Sequence, residues 1–313
     1  WDFPAPPTLV TVTHNGRRID AVAQVTKFGD TFVLDRRTGE SLFPIQYRKA
    51  PPSSVDGEQA AEAQPYPVKP PPFARQGLTE DMLTTRTPEA HADVLARFRA
   101  MKSGFLAPPS FEGTIVFPGF DGGAEWGGTA FDPSAGLLFV NSNEMPWIIK
   151  LIENNDTSLY NSKCATCHKA DRTGGPQAPS LIDIAKRMSH DDIVTLIRQG
   201  SGRMPAFPDM GARNMNDVAD FLLTGVDKGK DPKVASDPSH LKYRSDGESI
   251  FLDPDGYPAI MPPWGTLNAI DLNAGTIKWK IPLGEFPDLA AKGLTNTGSD
   301  NYGGPVATAS GLL

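Results

Sequence analysis

Cysteine is nearly absent from this chain: its 313 residues hold two, and both lie in the hexapeptide Lys163-Cys-Ala-Thr-Cys-His168. If that pair has another use, no structural disulfide is left to staple the fold. No run approaches the roughly 18 consecutive apolar residues of a membrane span, and no secretory signal pattern is visible. Histidine is scarce too; apart from His168 there are only His14, His91, His190 and His240, too scattered to complete a zinc site around the two thiols. Positive charge is in deficit. A net charge of −7 at pH 7 argues against nucleic acid or an anionic membrane surface as the main partner.

What is abundant is turn chemistry. Thirty Gly and thirty Pro beside 39% apolar residues predict many short strands rather than a helix bundle. The length predicts two domains or one large all-β domain. The chain opens at Trp1 without an initiator Met and stops at Ser310-Gly-Leu-Leu313 on what reads as the start of a strand. It is therefore read as an internal piece of a longer protein, with any targeting or membrane-associating segments and some active-site residues outside it.

One pattern recurs. Gly29-Asp-Thr-Phe-Val-Leu-Asp35-Arg-Arg-Thr-Gly39-Glu-Ser-Leu-Phe43 aligns without gaps on Gly265-Thr-Leu-Asn-Ala-Ile-Asp271-Leu-Asn-Ala-Gly275-Thr-Ile-Lys-Trp279. Strand, tight Gly turn and returning strand, closed by an aromatic, are the signature of a β-propeller blade; two unrelated hairpins with shared turn chemistry are the plainer alternative. Asp35, Asp271 and Trp279 are read as structural. Further strands are expected at Gly113–Phe117, Gly128–Phe131 and Leu137–Val140, the last two joined by the turn Asp132-Pro-Ser-Ala-Gly136. Ala50–Gln76, rich in Pro, Ala, Ser and Glu, reads as a long surface excursion. A helix is expected after the N-cap Thr87, with Leu95, Phe98 and Met101 on one face and Gly104 as terminator.

From about Asn154 to Lys230 the period becomes helical. Ser189 caps a helix carrying Ile193, Val194, Leu196 and Ile197 that Gly200 ends; the Asn214–Asp217 stretch caps another, carrying Val218, Phe221 and Leu222, that Gly225 ends. This segment contains both thiols. A C-x-x-C-H string is compatible with a redox dithiol, half a zinc site or attachment of a c-type haem. A dithiol of the thioredoxin kind sits in an α/β pattern that is missing here. Haem attachment needs two thiols to add across two vinyl groups and a His on the same turn to take one axial position of the iron, which Cys164, Cys167 and His168 supply. Met204, in Arg203-Met-Pro-Ala-Phe207, stands at the right distance for the second axial position; Met188, Met210 and Met215 lie nearby, and methionine is commonly core filler. With CATCH, the Gly174-Gly-Pro-Gln-Ala-Pro-Ser-Leu181 loop and the MPAF loop, residues 154–230 resemble a class I cytochrome c domain. That resemblance implies haem c and a periplasmic or otherwise extracytoplasmic location.

The flanks resemble the membrane-type pyrroloquinoline quinone (PQQ) dependent glucose dehydrogenase family. The strings that carry this are Trp1-Asp2 before a Pro-rich segment, Lys27 ahead of Phe32-Val-Leu-Asp-Arg-Arg-Thr-Gly39, Gly113-Thr-Ile-Val-Phe-Pro-Gly119, Glu125-Trp-Gly-Gly128, Phe139-Val-Asn141, Pro263-Trp-Gly265 and Gly303-Gly-Pro305. The resemblance implies part of an eight-bladed all-β propeller, in residues 1–153 and 231–313, with an inserted all-α cytochrome c domain at 154–230. It implies Asp2 as general base, Lys27 at the quinone, Asn141 against PQQ or its metal, Trp126 as a cofactor wall or propeller core, and a Ca²⁺ or Mg²⁺ ion with oxygen ligands. The substrate implied is a small sugar or alcohol, an aldose such as glucose favoured, with a quinone or cytochrome as downstream electron acceptor. A non-catalytic electron-transfer protein on a degenerate propeller scaffold is the alternative. A haem-d type nitrite reductase would need propeller histidines in a recognisable setting, and none is in one.

Overall fold

The computed structural model describes residues 2–154, 158–175, 178–227 and 241–313. Trp1, His240, part of the Gly174–Leu181 loop and the expected boundary at residues 230 and 231 lie outside the described residues. The chain forms two compact units, Trp1–Leu151 with Ser245–Leu313, and Ile152–Arg244.

The first unit is built on antiparallel sheets. Strands β1 (Thr8–His14) and β2 (Arg17–Val25) are joined by Asn15-Gly16, both at positive φ, as a two-residue hairpin requires, and β3 (Thr31–Asp35) completes a meander. Strands β4 (Ile45–Lys49) and β5 (Ala63–Pro67) form a separate hairpin. Of the rest, β6 (Thr114–Val116), β9 (Trp147–Glu153) and β10 (Tyr243–Ile250) make one sheet in the order β10-β9-β6. The fourth sheet has the order β12-β11-β8-β7, from β7 (Ala130–Asp132), β8 (Leu137–Asn143), β11 (Gly265–Asp271) and β12 (Thr276–Pro282). Its central pair sets Leu267 opposite Asn141 and Ala269 opposite Phe139, partners far apart in sequence. The sheets remain separate and open.

Three turns in this unit share one construction. In each, a strand-end Asp turns its carboxylate onto following backbone N–H groups, and a Gly four residues on takes a positive φ and donates back to the Asp carbonyl. The bonds are Gly39 to Asp35 at 2.8 Å, Gly136 to Asp132 at 2.9 Å and Gly275 to Asp271 at 2.8 Å. Hydrogen bonds hold the Asp35 and Asp132 carboxyls below the usual range, led by the Arg37 backbone N–H for Asp35 and by the Ser134 hydroxyl, then the Ser134 and Ala135 N–H groups, for Asp132. The repeat therefore has three copies, although the first lacks a full returning strand and keeps only the bridge of Leu34 to Ser41. Trp279 packs on Phe139 with ring centres 5.9 Å apart, as a packing residue.

Several local expectations are corrected. Helix α1 (Pro88–Ala100) does start at Thr87, whose hydroxyl accepts from Ala90 N–H at 3.1 Å, but it ends at Ala100 because Met101 is already extended; Gly104 lies beyond the end. Its buried face is Ala90, Val94 and Phe98, with Leu95 and Met101 half-buried. The Ala50–Gln76 excursion is superficial only in its first part. From Ala63 it pairs back as β5, and Tyr66, Phe73 and Ala74 are buried. The terminal residues form a turn, with Thr308 N–H donating to the Leu312 carbonyl at 2.9 Å, rather than opening a strand.

The second unit is helical, and short. Helices α2 (Leu159–Lys163) and α3 (Ala165–His168) meet at Cys164; α4 (His190–Gln199) and α5 (Ala212–Thr224) follow. Ser189 and Asp192 form a reciprocal capping box at the start of α4, and Gly200 ends it at φ 71°. Helix α5 begins earlier than expected, after Gly211, so that Asn214 lies inside the helix; Gly225 ends it in the left-handed region. Leu159, Tyr160, Ile193, Ile197, Met215, Val218 and Leu222 form its core.

Two buried carboxylates decide how the first unit responds to change. Glu144, fully buried just beyond β8, accepts hydrogen bonds from Arg75 Nε and Lys280 Nζ. Arg75 also donates to the carbonyls of Met261 at 3.1 Å and Pro263 at 2.8 Å, and Lys280 to that of Phe73 at 2.9 Å. Asp30 closes the β2–β3 turn: its N–H donates to Thr26 Oγ1 at 3.0 Å, and Gln76 Nε2 donates to its carboxyl at 3.0 Å. Burial pushes the Asp30 carboxyl up to about 7, against the opposing pull of the Gln76 bond and the Arg48 charge.

Arg75→Met should cost about 3 kcal/mol, since it strands a buried carboxylate on a single remaining cation; an unchanged denaturation midpoint in urea would show that Glu144 needs only Lys280. Because the folded Asp30 pKa lies above its ordinary value, its contribution is fully present at low pH and is lost as pH rises through about 7. That loss is on the order of 4 kcal/mol. Asp30→Asn keeps an acceptor for Gln76 and should remove this part of the pH dependence. Parallel stability profiles for the parent and variant from pH 5 to 9 would count against it.

Candidate functional site

The first unit gathers one set of polar groups at loop ends. Lys27 follows β2; its N–H donates to the Asp2 carbonyl at 3.1 Å, and its Nζ lies 3.2 Å from Asp2 Oδ2. The Lys27 carbonyl accepts from Gly123 N–H, and the Gly123 carbonyl accepts from Asn143 N–H at 3.2 Å, tying the glycine-rich loop 119–128 to both. Gly122, at φ 68°, lies so close that a Cβ would overlap the Lys27 side chain. Burial raises the Glu125 carboxyl, with Asp121 and Asp2 adding to the rise while the Lys27 charge and the Trp126 N–H oppose it. Asp121 accepts from Trp147 Nε1 at 2.9 Å and from the Tyr302 hydroxyl at 3.3 Å; burial and Asp121 push that phenol up to about 12. Three carboxylates thus share a neighbourhood with one ammonium.

Asn141, 8% exposed at the end of β8, donates to Asn301 Oδ1, while Asn143 exchanges two bonds with the Asn301 backbone at 2.9 and 2.7 Å. Its place is accordingly held by Asn301, on the loop after β12. Trp126 is 71% exposed, so among the described residues it belongs to no core. The sequence reading missed Asp121, Asn301 and Tyr302, and quoted Glu125 only as a neighbour of Trp126. The visible signal was the glycine-rich loop itself, with two acids set among close-packing glycines. Among the described residues, no three His, Cys, Asp or Glu side chains are arranged to hold a metal ion.

The second unit encloses a mainly apolar cavity of about 500 Å³, lined by Cys164, Cys167, His168 and Met204 together with Ile193, Ile197 and Leu222. His168 is buried, and its Nδ1 lies 2.9 Å from the Pro179 carbonyl. A carbonyl only accepts, so Nδ1 donates its N–H there, which leaves Nε2 as the ring nitrogen available to a metal. Met204 sits in a tight turn in which it exchanges backbone bonds with Ser201 at 2.9 and 3.1 Å. Gly200, besides ending α4, makes room for that turn: a Cβ there would come within 2.6 Å of the Met204 carbonyl. Burial, and secondarily Cys167, push the Cys164 thiol up to about 11. A reactive dithiol needs the opposite shift. His190 lies on α4 with Nε2 3.4 Å from Asp220 Oδ1 of α5.

A family model described as "PQQ: Glucose/ethanol/alcohol dehydrogenase, beta-propeller domain" matches residues 1–206 and 202–313, running through the helical unit as well as its flanks. The quinate/shikimate dehydrogenase (quinone) of Acinetobacter baylyi is 27% identical over all of this chain and 32% of its own length. The quinoprotein glucose dehydrogenase of Escherichia coli is 28% identical over all of this chain and 32% of its own. For the glycerol dehydrogenase large subunit of Gluconobacter thailandicus the figures are 29%, all of this chain and 36%. The chain spans about a third of the length of these relatives. Among solved structures, the quinohemoprotein alcohol dehydrogenase of Comamonas testosteroni aligns at TM-score 0.34 and 13% identity, over 88% of this chain and 24% of that one. A c-type cytochrome of Methylobacterium extorquens aligns at TM-score 0.19 and 28% identity, over 23% and 50%. Scores this low carry no argument about fold. The family match, which extends over the whole sequence, does: the chain belongs to the PQQ-dependent glucose/ethanol/alcohol dehydrogenase β-propeller family.

Proposed function

We propose that this chain is part of an extracytoplasmic quinohaemoprotein dehydrogenase, which oxidises a sugar or alcohol at PQQ and passes the electrons to a c-type haem held by residues 154–230. The observation that carries the reading is the convergence of Cys164, Cys167, His168 and Met204 on one apolar cavity, in a chain of the PQQ dehydrogenase family. The fit to haem rests on the His168 tautomer, the apolar lining and the two thiols on adjacent turns. Cys164 and Cys167 would bind the group covalently, with His168 and Met204 at the iron. Thioether ligation favours the ferrous state and supplies a one-electron acceptor.

In the first unit, Lys27 and Asn141 offer N–H donors suited to the oxygens of a quinone, and Asp2 offers a carboxylate. Bound PQQ supplies a two-electron acceptor for the hydride leaving the substrate carbon. Asp2 takes the hydroxyl proton of the substrate, and Lys27, 3.2 Å from it, orients that carboxylate and stabilises negative charge arriving nearby. The described residues gather no set of three His, Cys, Asp or Glu ligands for Ca²⁺ or Mg²⁺. An aldose such as glucose is the favoured substrate, and a quinone or a second cytochrome the acceptor beyond the haem. Carrying the first acceptor on the same polypeptide replaces a bimolecular collision with a high effective concentration.

The test uses the full reading frame containing this chain, produced with haem attachment and reconstituted with PQQ and Ca²⁺. Glucose, or one member of a sugar and alcohol panel, should reduce the haem α band only when PQQ is present. Asp2→Asn should slow that reduction roughly 10²- to 10⁴-fold and leave dithionite reduction intact. A haem that dithionite reduces and no substrate does would shift the assignment to a non-catalytic electron carrier. The 313-residue chain alone should bind PQQ weakly, because it spans only about a third of its relatives' length and so offers only part of the lining. Stoichiometric binding in a fluorescence titration at micromolar chain would refute this.

A further inference from the structure

Among the described residues three carboxylates are buried, and they are not treated alike. Glu144 is met by Arg75 and Lys280, and Asp253 by Arg86 at 2.9 Å. Asp30, 1% exposed, is met by a neutral amide, Gln76 Nε2 at 3.0 Å, and among the described residues no cation forms an ion pair with it. The charged and titratable groups that face it are Arg48 of β4, which pulls its carboxyl down, and Tyr66 of β5, whose phenol is raised by burial first and by Asp30 second. The Arg48 guanidinium is itself placed over the Tyr66 ring, 4.5 Å from its centre.

The turn that Asp30 closes carries Lys27. Thr26 N–H donates to the Asp30 carbonyl at 3.0 Å and Gly29 N–H to the Thr26 carbonyl at 3.0 Å. Gln76 Nε2 bridges the Asp30 carboxyl and the Phe28 carbonyl, 3.0 Å from each. Gly29 is wedged against the same segment: its carbonyl accepts from Phe73 N–H at 2.8 Å, and a Cβ on it would come within 2.6 Å of Ala74 Cβ. Residues 73–76 therefore clamp residues 28–30, while Gly123 and Asp2 hold the backbone of Lys27. One short turn thus joins a buried acid to the ammonium that lies 3.2 Å from Asp2.

We infer that Asp30 is a positioning residue for Lys27: as the neutral acid it keeps turn 26–30 closed through Gln76 and the ammonium against Asp2, and as the carboxylate it loosens the turn and releases that contact. The catalytic weight of the contact rests on the reading of Asp2 and Lys27 given above. A carboxylate without a cation is the costly form of a buried acid, so ionisation favours any state in which the turn opens and water reaches the group. Burial keeps Asp30 neutral up to about pH 7, so the contact is kept below that pH and lost above it.

The experiment is amine labelling of the full-length protein without PQQ. Acetic anhydride is the probe, and the yield at Lys27, read by peptide mass spectrometry, is divided by that at Lys278, an exposed lysine of β12. The ratio cancels the general rise of amine reactivity with pH. Between pH 6 and pH 8 it should rise several-fold in the parent. Asp30→Asn is neutral at every pH and still offers Gln76 an acceptor, so it should hold the parent's pH 6 ratio throughout. A parent ratio that stays constant, or an Asp30→Asn ratio that climbs with the parent's, overturns the inference. An Asp30→Asn ratio already high at pH 6 also overturns it, since that marks a purely structural residue. If Asp30→Asn fails to fold, Gln76→Leu takes its place. It removes the bridge and should show at pH 6 the ratio that the parent reaches at pH 8; a ratio as low as the parent's at pH 6 overturns the assignment. PQQ added at pH 6 should protect Lys27 from the label. Absence of protection would sink the placement of the quinone at Lys27, an outcome distinct from a labelling ratio that ignores Asp30.

Discussion

The central constraint of the first unit is the buried Glu144 carboxylate with its two cations. Glu144 follows the end of β8 with no solvent access, where an unpaired charge would cost several kcal/mol. Its two cations come from segments far away in sequence: Arg75 from the loop after β5, and Lys280 from β12. Their remaining donors reach the carbonyls of Phe73, Met261 and Pro263. One carboxylate therefore locks three chain segments around the end of β8, the strand that also carries Asn141. Exchange of such a cluster for apolar residues can be neutral, but loss of one member is not, so its importance lies in where it holds the backbone more than in net stabilisation.

From that frame follows the character of the polar cluster around Lys27. Loops 26–30, 119–128 and 298–305 are connected by backbone bonds and by glycines that leave no room for a Cβ, so their acids are brought together by close backbone approach. Asp2 and Glu125 then share one ammonium with Asp121 close by, and burial raises the Glu125 carboxyl. The helical unit has the opposite character. Its cavity is mainly apolar, the rim is cationic, and the one imidazole lining it donates Nδ1–H to a backbone carbonyl. The chemistry proposed for each follows from that contrast: proton removal where carboxylates gather, and reversible one-electron storage where an apolar cavity offers nitrogen and sulfur.

Local features were legible where a short-range rule acts by itself. The Asp-to-Gly turns, the Thr87 cap, the Ser189 capping box and the Gly200 and Gly225 stops all depend on residues within a few positions of one another. The errors arose where neighbours in space override such rules. Helix α1 ends before Gly104 because Met101 turns extended, α5 starts before Asn214, and the Pro-rich segment folds inward once β5 finds β4. Asp121, Asn301 and Tyr302 were invisible for the same reason: each matters only through a partner 26 to 181 residues away.

The sequence by itself determined the two-thiol motif with its adjacent histidine, the strand-and-turn grammar of the flanks, and the family those strings resemble, because each is written in covalent spacing. Tertiary structure alone decided which acids share Lys27, that Asn141 is held by Asn301, that Trp126 faces solvent, and that, among the described residues, every charged group lining the helical cavity is a cation. Those outcomes depend on burial and on long-range pairing, and neither is encoded at any one position of the chain.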